Sequence, residues 1–517
     1  MDRDKDWTAG YVTELEYTYG YYRELSPSLL RLACLSAGVA PPSTKPLRYL
    51  ELGYGQGLSI NIHAAALDGE FWGTDFNPTQ VAHARTLSDA SGSGAKLFED
   101  SFADFAARAD LPEFDIIGLH GIWTWISDEN GHIVVDIIRR KLRAGGILYI
   151  SYNCLPGWAP SMPLRHLVKL HTDLAAEATG MRAKLNEALA FAQQVIDSGA
   201  LYFRGNPAVA ERLKKMSEQD RNYLAHEYFN RDWRVMAFSD VARWLDDAKL
   251  SFVASAHLLD HVEAVNLSES GQKLLSGISH PVLRQSVRDY FVNQQFRRDV
   301  FVKGTRRLSP LEQKEAFRKQ AFALAMHADD VPMKVTGSLG EATLSERVYR
   351  PVIQVLADDC YAPKPVEQII AHPKLSSVPL PQVTQALLVL TGAGYVYPAQ
   401  ECSRQGKARC AALNRYICER ARSGAKISFL ASPVCASGIM VPSSQQLFLL
   451  AGRHGRKSPK DQAEFVWDLL TAQGQRIVKD GKTLETAEQN LDELLKQATE
   501  FADKRLPVLK GLEISLH

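Results

Sequence analysis

The sequence lacks a long hydrophobic run, a closely spaced cysteine pair and an excess of charge of either sign. No uninterrupted stretch of about 18 apolar residues occurs, so no membrane-spanning helix is expected. Lys and Arg total 60 and Asp and Glu total 59, which argues against a chain built as a whole to coat nucleic acid or an anionic membrane. The N-terminal stretch MDRDKDWTAGYVTELEY is charged and has no apolar core, so no secretory signal peptide is expected.

Cysteine is also scarce. The seven cysteines include no C-x-x-C pair and no cluster with histidine at zinc-finger spacing, so we expect no metal site. A sparse and odd number of cysteines fits a reducing compartment. The expected location is therefore the cytoplasm.

The chain does contain a regular alternation of short apolar segments and helix-like segments between residues 46 and 153. Strands are predicted in LRYLEL, EFWGT, AKLF, FDIIGLH and GGILYISYN, an order typical of a parallel, doubly wound sheet. Helical sequence follows at 161–235, and AKLSFVASAHL and FRRDVFVKG predict two more strands. The predicted fold class is α/β, with a seven-stranded Rossmann-like sheet, a helical insertion and mainly helical middle and C-terminal parts.

The most informative motif, E-L-G-Y-G-Q-G, stands at the end of the first predicted strand. Gly53, Gly55 and Gly57 let the chain turn sharply and approach a ligand closely. The motif is neither G-x-G-x-x-G nor a Walker A loop. Glu51 beside these glycines suits a cationic or amino-bearing ligand such as S-adenosylmethionine better than a pyrophosphate, and a tight turn without a ligand is the alternative.

Two further strand ends carry acids. Asp75 follows the second strand, where a carboxylate can accept hydrogen bonds from both ribose hydroxyls. Asp100, Ser101 and Phe102 follow the third, where an acid can accept from an adenine amino group and a ring can cover the base. Each could alone be a cap or a turn. Together, acids at three successive strand ends predict one crevice and favour a class I S-adenosylmethionine-dependent methyltransferase.

Several segments resemble a known family. ELGYGQGLSIN, GTDFNPTQVAHA, LHGIWTWIS, ISYNCLPGW and DRNYLAHEYFN are similar to bacterial methyltransferases that carry a methyltransferase regulatory domain, a family that includes lysine methyltransferases acting on outer-membrane proteins. The resemblance runs over about residues 8–310. It implies a Rossmann-like catalytic domain followed by helical domains, and it leaves the substrate open.

Aromatic residues follow the fourth and fifth strands, where the transferable methyl is expected. We predict that His120, Trp123, Trp125, Tyr152 and Asn153 form the catalytic site. Apolar surroundings lower the pKa of a lysine amine from about 10.4, and aromatic rings attract a methylated ammonium. His120 either accepts a proton or shapes the cofactor pocket, and for Trp125 and Trp158 core packing is the alternative.

The predicted cofactor site unites the three strand ends with His120 and an N-terminal tyrosine. It comprises Tyr22, Glu51, Gly53, Gly55, Gly57, Asp75, Phe76, Asp100, Ser101, Phe102 and His120. The predicted substrate site comprises Tyr17, Tyr21, Trp123, Trp125, Tyr152 and Trp158. The tyrosines between residues 17 and 22 could form a lid over the crevice; an aromatic helix packed on the domain is the alternative.

Residues and resemblance together predict four parts of the chain. They are an N-terminal helical lid (1–45), a Rossmann-like methyltransferase domain (46–160), a helical insertion with the regulatory segment that could complete the sheet (161–304), and a mainly helical C-terminal domain (305–517). Within the last, residues 346–400 read as winged-helix-like, with generic helical packing as the alternative.

Three functions stay open at this point. The favoured one is N-methylation of a protein lysine side chain with S-adenosylmethionine, because the long chain beyond Ser309 suits a macromolecular acceptor. The alternatives are a small-molecule N- or O-methyltransferase and a non-catalytic binding or regulatory protein. A nucleic acid partner is not favoured, since acids interleave the basic residues of 346–400. A homodimer is possible.

Overall fold

The computed structural model describes residues 8, 10–11, 19–42 and 46–516. At its centre lies one sheet of seven strands, numbered here in chain order. They are β1 (Leu47–Leu52), β2 (Gly69–Thr74), β3 (Lys96–Phe98), β4 (Phe114–Leu119), β5 (Leu142–Asn153), β6 (Leu250–Ser255) and β7 (Phe296–Lys303). The order across the sheet is β3-β2-β1-β4-β5-β7-β6, which confirms the predicted seven-stranded Rossmann-like sheet.

The first five strands are parallel, and β7 runs antiparallel to both of its neighbours, β5 and β6. In β1, Tyr49 lies opposite Phe71 of β2 on one side and Ile116 of β4 on the other. β7 lies between β5 and β6, so that Tyr152 of β5 faces Arg297 of β7. The carboxyl ends of β1 to β4 therefore meet at one edge, and the polar residues that follow them are brought together.

Among the residues that the structure describes, one α-helix precedes β1, and one α-helix follows each of the strands β1 to β4. They are α1 (Pro27–Ser36), α2 (Leu58–Ala66), α3 (Pro78–Ser91), α4 (Phe102–Ala107) and α5 (Asp128–Lys141). Three of them begin at polar caps: Asn77, Ser101 and Ser127 each accept backbone N–H bonds of the first turn. Tyr49 and Leu50 of β1 belong to two different hydrophobic clusters, because successive strand residues point to opposite faces and both faces are covered.

The chain between β5 and β7 is mainly helical. Its helices are α6 (Met162–Leu174), α7 (Met181–Asp197), α8 (Leu201–Gly205), α9 (Pro207–Glu218), α10 (Arg221–Tyr228), α11 (Phe238–Asp246), α12 (Glu263–Asn266), α13 (Glu269–Ser276) and α14 (Pro281–Phe291). The first five share a hydrophobic cluster of their own, which includes Val168, Leu189 and Leu213. They form a helical insertion beside the sheet.

The C-terminal part consists mainly of helices with four small sheets. Its elements are α15 (Pro310–Lys319), β8 (Ala321–Leu324), β9 (Lys334–Gly337), β10 (Gly340–Thr343), α16 (Glu346–Tyr361), β11 (Lys364–Pro365), α17 (Val366–Ala371), α18 (Leu380–Gly392), β12 (Val396–Ala399), α19 (Arg404–Ala421), β13 (Phe429–Ser432), β14 (Ser437–Met440), α20 (Ser443–Arg453), α21 (Pro459–Ala472), β15 (Val478–Lys479), β16 (Lys482–Thr483), α22 (Ala487–Glu500), a π-helix (Phe501–Arg505) and α23 (Leu506–Gly511). No helix in the described ranges is long and apolar enough to cross a membrane.

This C-terminal part packs against helices α2 and α3 through α19. Arg409 of α19 donates to the backbone oxygens of Ala65, at 3.1 Å, and Leu67, at 2.8 Å, and pairs with Asp68 at 2.9 Å. One hydrophobic cluster continues from the parallel sheet into the C-terminal helices. The C-terminal part therefore supports the sheet through the helices that carry its loops.

The three helices and the strand expected at 346–400 are present as α16, α17, α18 and β12. β11 and β12 pair with β8 on either side, which completes a three-stranded antiparallel sheet. α18 packs on the turn at Leu258–His261, and a Cβ on Gly392 would lie 2.8 Å from Leu259. The C-terminal end of α18 is thus covered by the regulatory segment.

The N-terminal segment departs from the expected helix. α1 begins only at Pro27, after a 3-10 turn at Arg23–Leu25, and Tyr19 to Tyr22 lie outside any helix. Tyr22 has an extended backbone, so successive side chains here point in different directions. Tyr17 lies outside the described residues.

Candidate functional site

The ends of β1 to β4 border a pocket of about 1220 Å³. The predicted residues that line it are Tyr22, Glu51, Gly53, Gly55, Asp75, Phe76, Asp100, Ser101, Phe102, His120 and Trp125. Other lining residues are Thr8, Tyr11, Gly20, Tyr54, Gln56, Ser59, Gln80, Gly121, Ile122, Ile126, Ser127, Asn130 and Asp232. We call residues 51–55, 75–76 and 100–102 the strand-end wall, and Tyr11, Trp125 and Asp232 the composite wall.

The glycine loop after β1 makes the first turn of the strand-end wall. Gly53, Gly55 and Gly57 have φ values of 70°, 57° and 72°, which side chains other than glycine rarely adopt. A Cβ on Gly53 would lie 2.5 Å from Ile122. Gly57 does not line the pocket; a Cβ there would lie 2.4 Å from Ala84. This glycine serves the packing of α2 on α3, so the structure does not bring it into the lining of the predicted cofactor site.

Asp75 ties the loop after β2 to the glycine loop. Its Oδ2 accepts from the backbone N–H of Gly55 at 2.9 Å, and its Oδ1 accepts from that of Asn77 at 3.0 Å. Burial raises the pKa of Asp75 to about 6, although these two hydrogen bonds oppose the rise. A carboxylate has about four acceptor sites, so Asp75 keeps acceptor capacity for the hydroxyl groups of a ligand.

Glu51 is the most deeply buried acid of the pocket, with 3% of its surface exposed. Its Oε2 accepts from the hydroxyl of Tyr49 at 3.0 Å. Burial raises the pKa of Glu51 to about 8, and the negative charge of Asp75 adds to the rise. A positively charged ligand lowers the free-energy cost of keeping a buried acid ionised when that acid has no cationic partner.

Two hydrogen bonds between side chains and the backbone, together with one ion pair, hold the loop after β3 in place. The hydroxyl of Thr74 donates to the backbone oxygen of Asp100 at 2.6 Å, and Arg108 pairs with the Asp100 carboxylate at 3.3 Å. Ser101 caps α4 by accepting from the backbone N–H of Asp104 at 3.2 Å. Phe102 lines the pocket beside them, so this loop offers one polar and one apolar surface.

His120 and Tyr22 stack on each other at the pocket, with ring centroids 3.8 Å apart. Nδ1 of His120 lies 2.8 Å from the hydroxyl of Tyr149. Burial lowers the pKa of His120 to about 4, so the imidazole is neutral near pH 7 and is a weak base. The geometry thus favours the second of the two predicted roles, in which His120 shapes the pocket.

The composite wall is assembled from three distant stretches of chain. Tyr11 packs edge-on against Phe76, with ring centroids 5.8 Å apart. Trp125 follows β4, and Asp232 comes from the segment after α10. Burial raises the pKa of Tyr11 above its ordinary value, so its hydroxyl is neutral. Two aromatic rings and one carboxylate therefore line the same pocket as the strand-end wall.

Two residues predicted to meet the acceptor lie in the core instead. Trp123 is fully buried, and its indole N–H donates to Sδ of Met236 at 3.2 Å. Tyr152 is also fully buried, and its hydroxyl donates to Asp299 at 2.7 Å. Asp299 in turn is bonded to Arg297 at 2.8 Å. The structure does not bring Trp123 and Tyr152 to the pocket, because β7 and α11 cover this end of β5, and their contact with substrate stays a prediction.

Asn153 does not line the pocket either, although it was predicted to be catalytic. It is buried, and its backbone N–H donates to the hydroxyl of Thr124 at 2.9 Å while its backbone oxygen accepts from Met236. The end of β5 is therefore joined to two neighbouring segments rather than open to a ligand. The structure does not bring Asn153 to the pocket, and its contact with the acceptor stays a prediction.

Two further aromatic residues of the predicted substrate site, Tyr21 and Trp158, also lie away from the pocket. The hydroxyl of Tyr21 lies 2.6 Å from Oγ of Ser437 and 3.2 Å from Nε2 of His63, so it faces the C-terminal part. Trp158 is buried edge-on against Trp233, with Arg212 3.8 Å above its ring. Neither side chain lines the pocket, and Tyr17 cannot be placed because it lies outside the described residues.

Sequence reasoning also missed lining residues. Gln56 and Ser59 stand in or just after the glycine motif. Ser127 and Asn130 form the capped start of α5, the helix that follows β4. Their positions after strand ends could therefore have predicted these four residues as part of the pocket. Asp232 carries no local signal, since no strand of the sheet ends near it. Among the described residues, no group of three or more His, Cys, Asp or Glu side chains is placed to hold a metal ion.

Two family models match segments of the chain that contribute residues to this pocket. A family model described as a methyltransferase domain matches residues 50–150, and one described as a predicted methyltransferase regulatory domain matches residues 220–303. The first range contains the strand-end wall and Trp125. The second contains Asp232.

Two similar proteins match nearly the whole chain, and a third matches part of it. An uncharacterized protein of Synechocystis is 41% identical over 514 residues, which cover 98% of this chain and 100% of that protein. An uncharacterized protein of Rickettsia prowazekii is 25% identical over 217 residues, 42% of this chain and 85% of that one. The structure of PKMT2 from Rickettsia typhi in complex with AdoHcy has a TM-score of 0.70 at 18% identity, and covers 95% of this chain and 99% of that chain. The last likeness shows a shared fold.

Proposed function

The chain belongs to the class I S-adenosylmethionine-dependent methyltransferases that carry a regulatory domain, and from this premise we propose that its acceptor is a lysine side chain of a protein. The observation that carries the proposal is the composite wall. Tyr11, Trp125 and Asp232 place two aromatic rings and an acid in the pocket whose other wall is the strand ends. Such a lining suits a cationic or amine acceptor.

The strand-end wall fits S-adenosylmethionine by the chemistry of its side chains. Glu51 is a buried carboxylate that lacks a cationic partner among the described residues, so a positively charged ligand relieves the cost of its burial. Asp75 offers acceptor sites to ribose hydroxyls, and Phe76 and Phe102 offer apolar surface to a base. Gly53 and Gly55 allow the close backbone approach that such a ligand needs.

The donor brings most of the chemistry. When bound, S-adenosylmethionine would supply an activated methyl group for the amine nitrogen; the electron pair of the carbon–sulfur bond would stay on sulfur, and the proton of the lysine ammonium would go to solvent water. The protein's own residues have to hold both partners and keep the amine neutral.

A lysine amine must lose its proton before it reacts, because its ordinary pKa is about 10.4. Tyr11, Tyr22 and Trp125 supply apolar ring surface around the pocket, and such surroundings favour the neutral amine. His120 is a poor acceptor for this proton, since its pKa is lowered to about 4 by burial. We propose that it orients Tyr22 instead.

The name of the similar Rickettsia typhi protein, PKMT2, is consistent with the lysine proposal. Coverage of the end of α18 by Leu259 weighs against use of the winged-helix-like part as a nucleic acid reader. The C-terminal part contributes no lining residue within the described chain, and we propose that it supports α2 and α3.

The test uses S-adenosylmethionine labelled in its methyl group. The purified protein is incubated with host lysate, and the products are separated into macromolecular and small-molecule fractions. Gly55→Arg is the matched blank, because a large cation in the glycine loop blocks the cofactor site. We expect label in protein that is recovered as methyllysine after acid hydrolysis.

Two results would contradict the lysine proposal. Label confined to the small-molecule fraction would indicate a metabolite methyltransferase. If the label is in protein but acid hydrolysis recovers it on a residue other than lysine, the acceptor is a protein and the methylated side chain is not lysine.

A further inference from the structure

We propose that Asp232, in the regulatory segment, recognises the ammonium group of the acceptor lysine at the composite wall. This inference rests on the proposed function and adds to it a specificity-determining residue outside the catalytic domain. It assigns the regulatory segment a direct part in acceptor choice.

Two backbone hydrogen bonds fix the position of Asp232. On one side, the N–H of Arg231 donates to the oxygen of Gly10 at 2.9 Å, next to Tyr11. On the other side, the N–H of Arg234 donates to the oxygen of Thr124 at 2.8 Å, next to Trp125. Asp232 is therefore held between the two aromatic residues of the composite wall.

A close approach supports this placement. A Cβ on Gly10 would lie 2.5 Å from Cβ of Arg231, so the N-terminal segment reaches the regulatory segment only with a glycine there. Arg234 also forms an ion pair with Asp128 at the start of α5. The regulatory segment is thus anchored to both of its neighbours around Asp232.

Asp232 also differs from the other acids of the pocket. Glu51 is bonded to Tyr49, Asp75 to two backbone N–H groups, and Asp100 to Arg108. Within the described part of the chain, the cation that Asp232 meets is Arg231, at 3.2 Å, and both side chains are partly exposed, at 31% for Asp232 and 55% for Arg231.

An exposed pair of this kind contributes little stability and is readily exchanged. A ligand ammonium can replace Arg231 beside Asp232 and gain cation–π attraction from the two rings. An acceptor that presents a carboxylate would instead be repelled. The arrangement therefore selects a cationic amine before it is neutralised for transfer.

The test compares Asp232→Asn with a matched control in the same segment. Asp240→Asn removes an acid of α11 whose side chain is 44% exposed and lies 3.4 Å from Arg243, so it resembles Asp232 but lies outside the pocket lining. Initial rates of label transfer are measured against the concentration of host-lysate protein. S-adenosylhomocysteine affinity is measured by calorimetry, and folding is checked by thermal unfolding.

For Asp232→Asn we expect an apparent KM for lysate protein at least tenfold higher, with S-adenosylhomocysteine affinity within about twofold of wild type. Asp232→Glu should restore part of the loss, and Asp240→Asn should match wild type. n-Butylammonium chloride, as an analogue of the lysine side chain, should compete with lysate protein for the wild type and not for Asp232→Asn.

An unchanged KM in Asp232→Asn overturns the inference, and so does a KM in Asp232→Glu that is as high as the KM of Asp232→Asn. An equal loss of S-adenosylhomocysteine affinity also overturns it, since Asp232 would then belong to the cofactor site. If the wild type places no label on lysine, the proposed function has failed instead, and the two failures are distinguished by that one measurement.

Discussion

The strand-end wall and the composite wall border the same pocket but are built in opposite ways. Each stretch of the strand-end wall lies at the end of a strand: Glu51 is the penultimate residue of β1, and Asp75 directly follows β2. The composite wall joins Tyr11, Trp125 and Asp232, which are more than a hundred residues apart from one another. We infer that cofactor binding is encoded in local motifs, whereas the acceptor side depends on how separate segments dock.

The comparison also explains two neighbouring indoles with different roles. Trp123 and Trp125 stand on the same loop after β4, yet one is fully buried against Trp244 and the other lines the pocket. Their spacing in the sequence is compatible with either role for each. What separates them is the 3-10 turn at Trp123–Trp125 and the cover supplied by α11.

The largest effect is expected from this pair. Trp123→Ala should lower the free energy of unfolding by about 3–5 kcal/mol because a fully buried indole is replaced by a cavity. Trp125→Ala should lower it by about 1 kcal/mol or less, reduce methyl transfer at least tenfold and leave S-adenosylhomocysteine affinity unchanged. Urea unfolding and initial rates check both. Equal losses of unfolding free energy in the two variants would contradict the different roles assigned to Trp123 and Trp125.

The next effect concerns the buried acid of the strand-end wall. The pKa of Glu51 rises from 4.5 in the unfolded chain to about 8 in the folded one, so folding at a pH between these two values takes up a proton, which becomes more costly as pH rises. Stability is therefore lost between about pH 4.5 and 8. Glu51→Gln removes this loss, and we expect the ligand-free variant to be more stable by roughly 3 kcal/mol at pH 7.

The measurement is thermal unfolding of ligand-free wild type and Glu51→Gln from pH 4 to 9. The two curves should meet near pH 4 and separate as pH rises. The same substitution should weaken S-adenosylmethionine binding, because the carboxylate that balances a cationic ligand is gone. Parallel curves over the whole range would show that burial of Glu51 has no such cost.

A third prediction tests the glycine loop. Gly53→Ala should weaken S-adenosylhomocysteine binding by about 100-fold, which equals about 2.7 kcal/mol, because its Cβ would push Ile122 within the pocket. Gly92→Ala is the matched control: its φ is +64° and nothing lies within 4 Å of the added Cβ. Calorimetry on both variants separates loss of the site from backbone strain, and equal losses would contradict the prediction.

The smallest effect is expected outside both walls. Tyr152→Phe removes the hydrogen bond to Asp299 and should cost about 1–2 kcal/mol of folding free energy. Because Arg297 still pairs with Asp299, the buried carboxylate keeps a partner. Turnover per folded molecule and KM for lysate protein should not change. A turnover loss larger than the loss of folded protein would return Tyr152 to the active site.

The parallel sheet was predictable because its signal is local. Apolar segments of strand length bounded by glycines and acids identify β1 to β5, and the turn geometry of Gly53 and Gly55 follows from residue type alone. The same logic placed Asp75 and Asp100 at one edge. The structure departs from this logic where a strand end is covered: Tyr152 and Asn153 follow the pattern of a site residue, but β7 and the segment at Met236 pack against them, and neither lines the pocket.

By itself, the amino-acid sequence determined the seven strands and the acids at three successive strand ends, because short-range periodicity and residue type are enough for both. Only the tertiary structure decided which of two indoles faces the pocket, that Tyr21 turns toward Ser437, and that Asp232 reaches the composite wall. The physical reason is that these contacts join segments distant along the chain, and their side chains carry no periodic signal that names a partner.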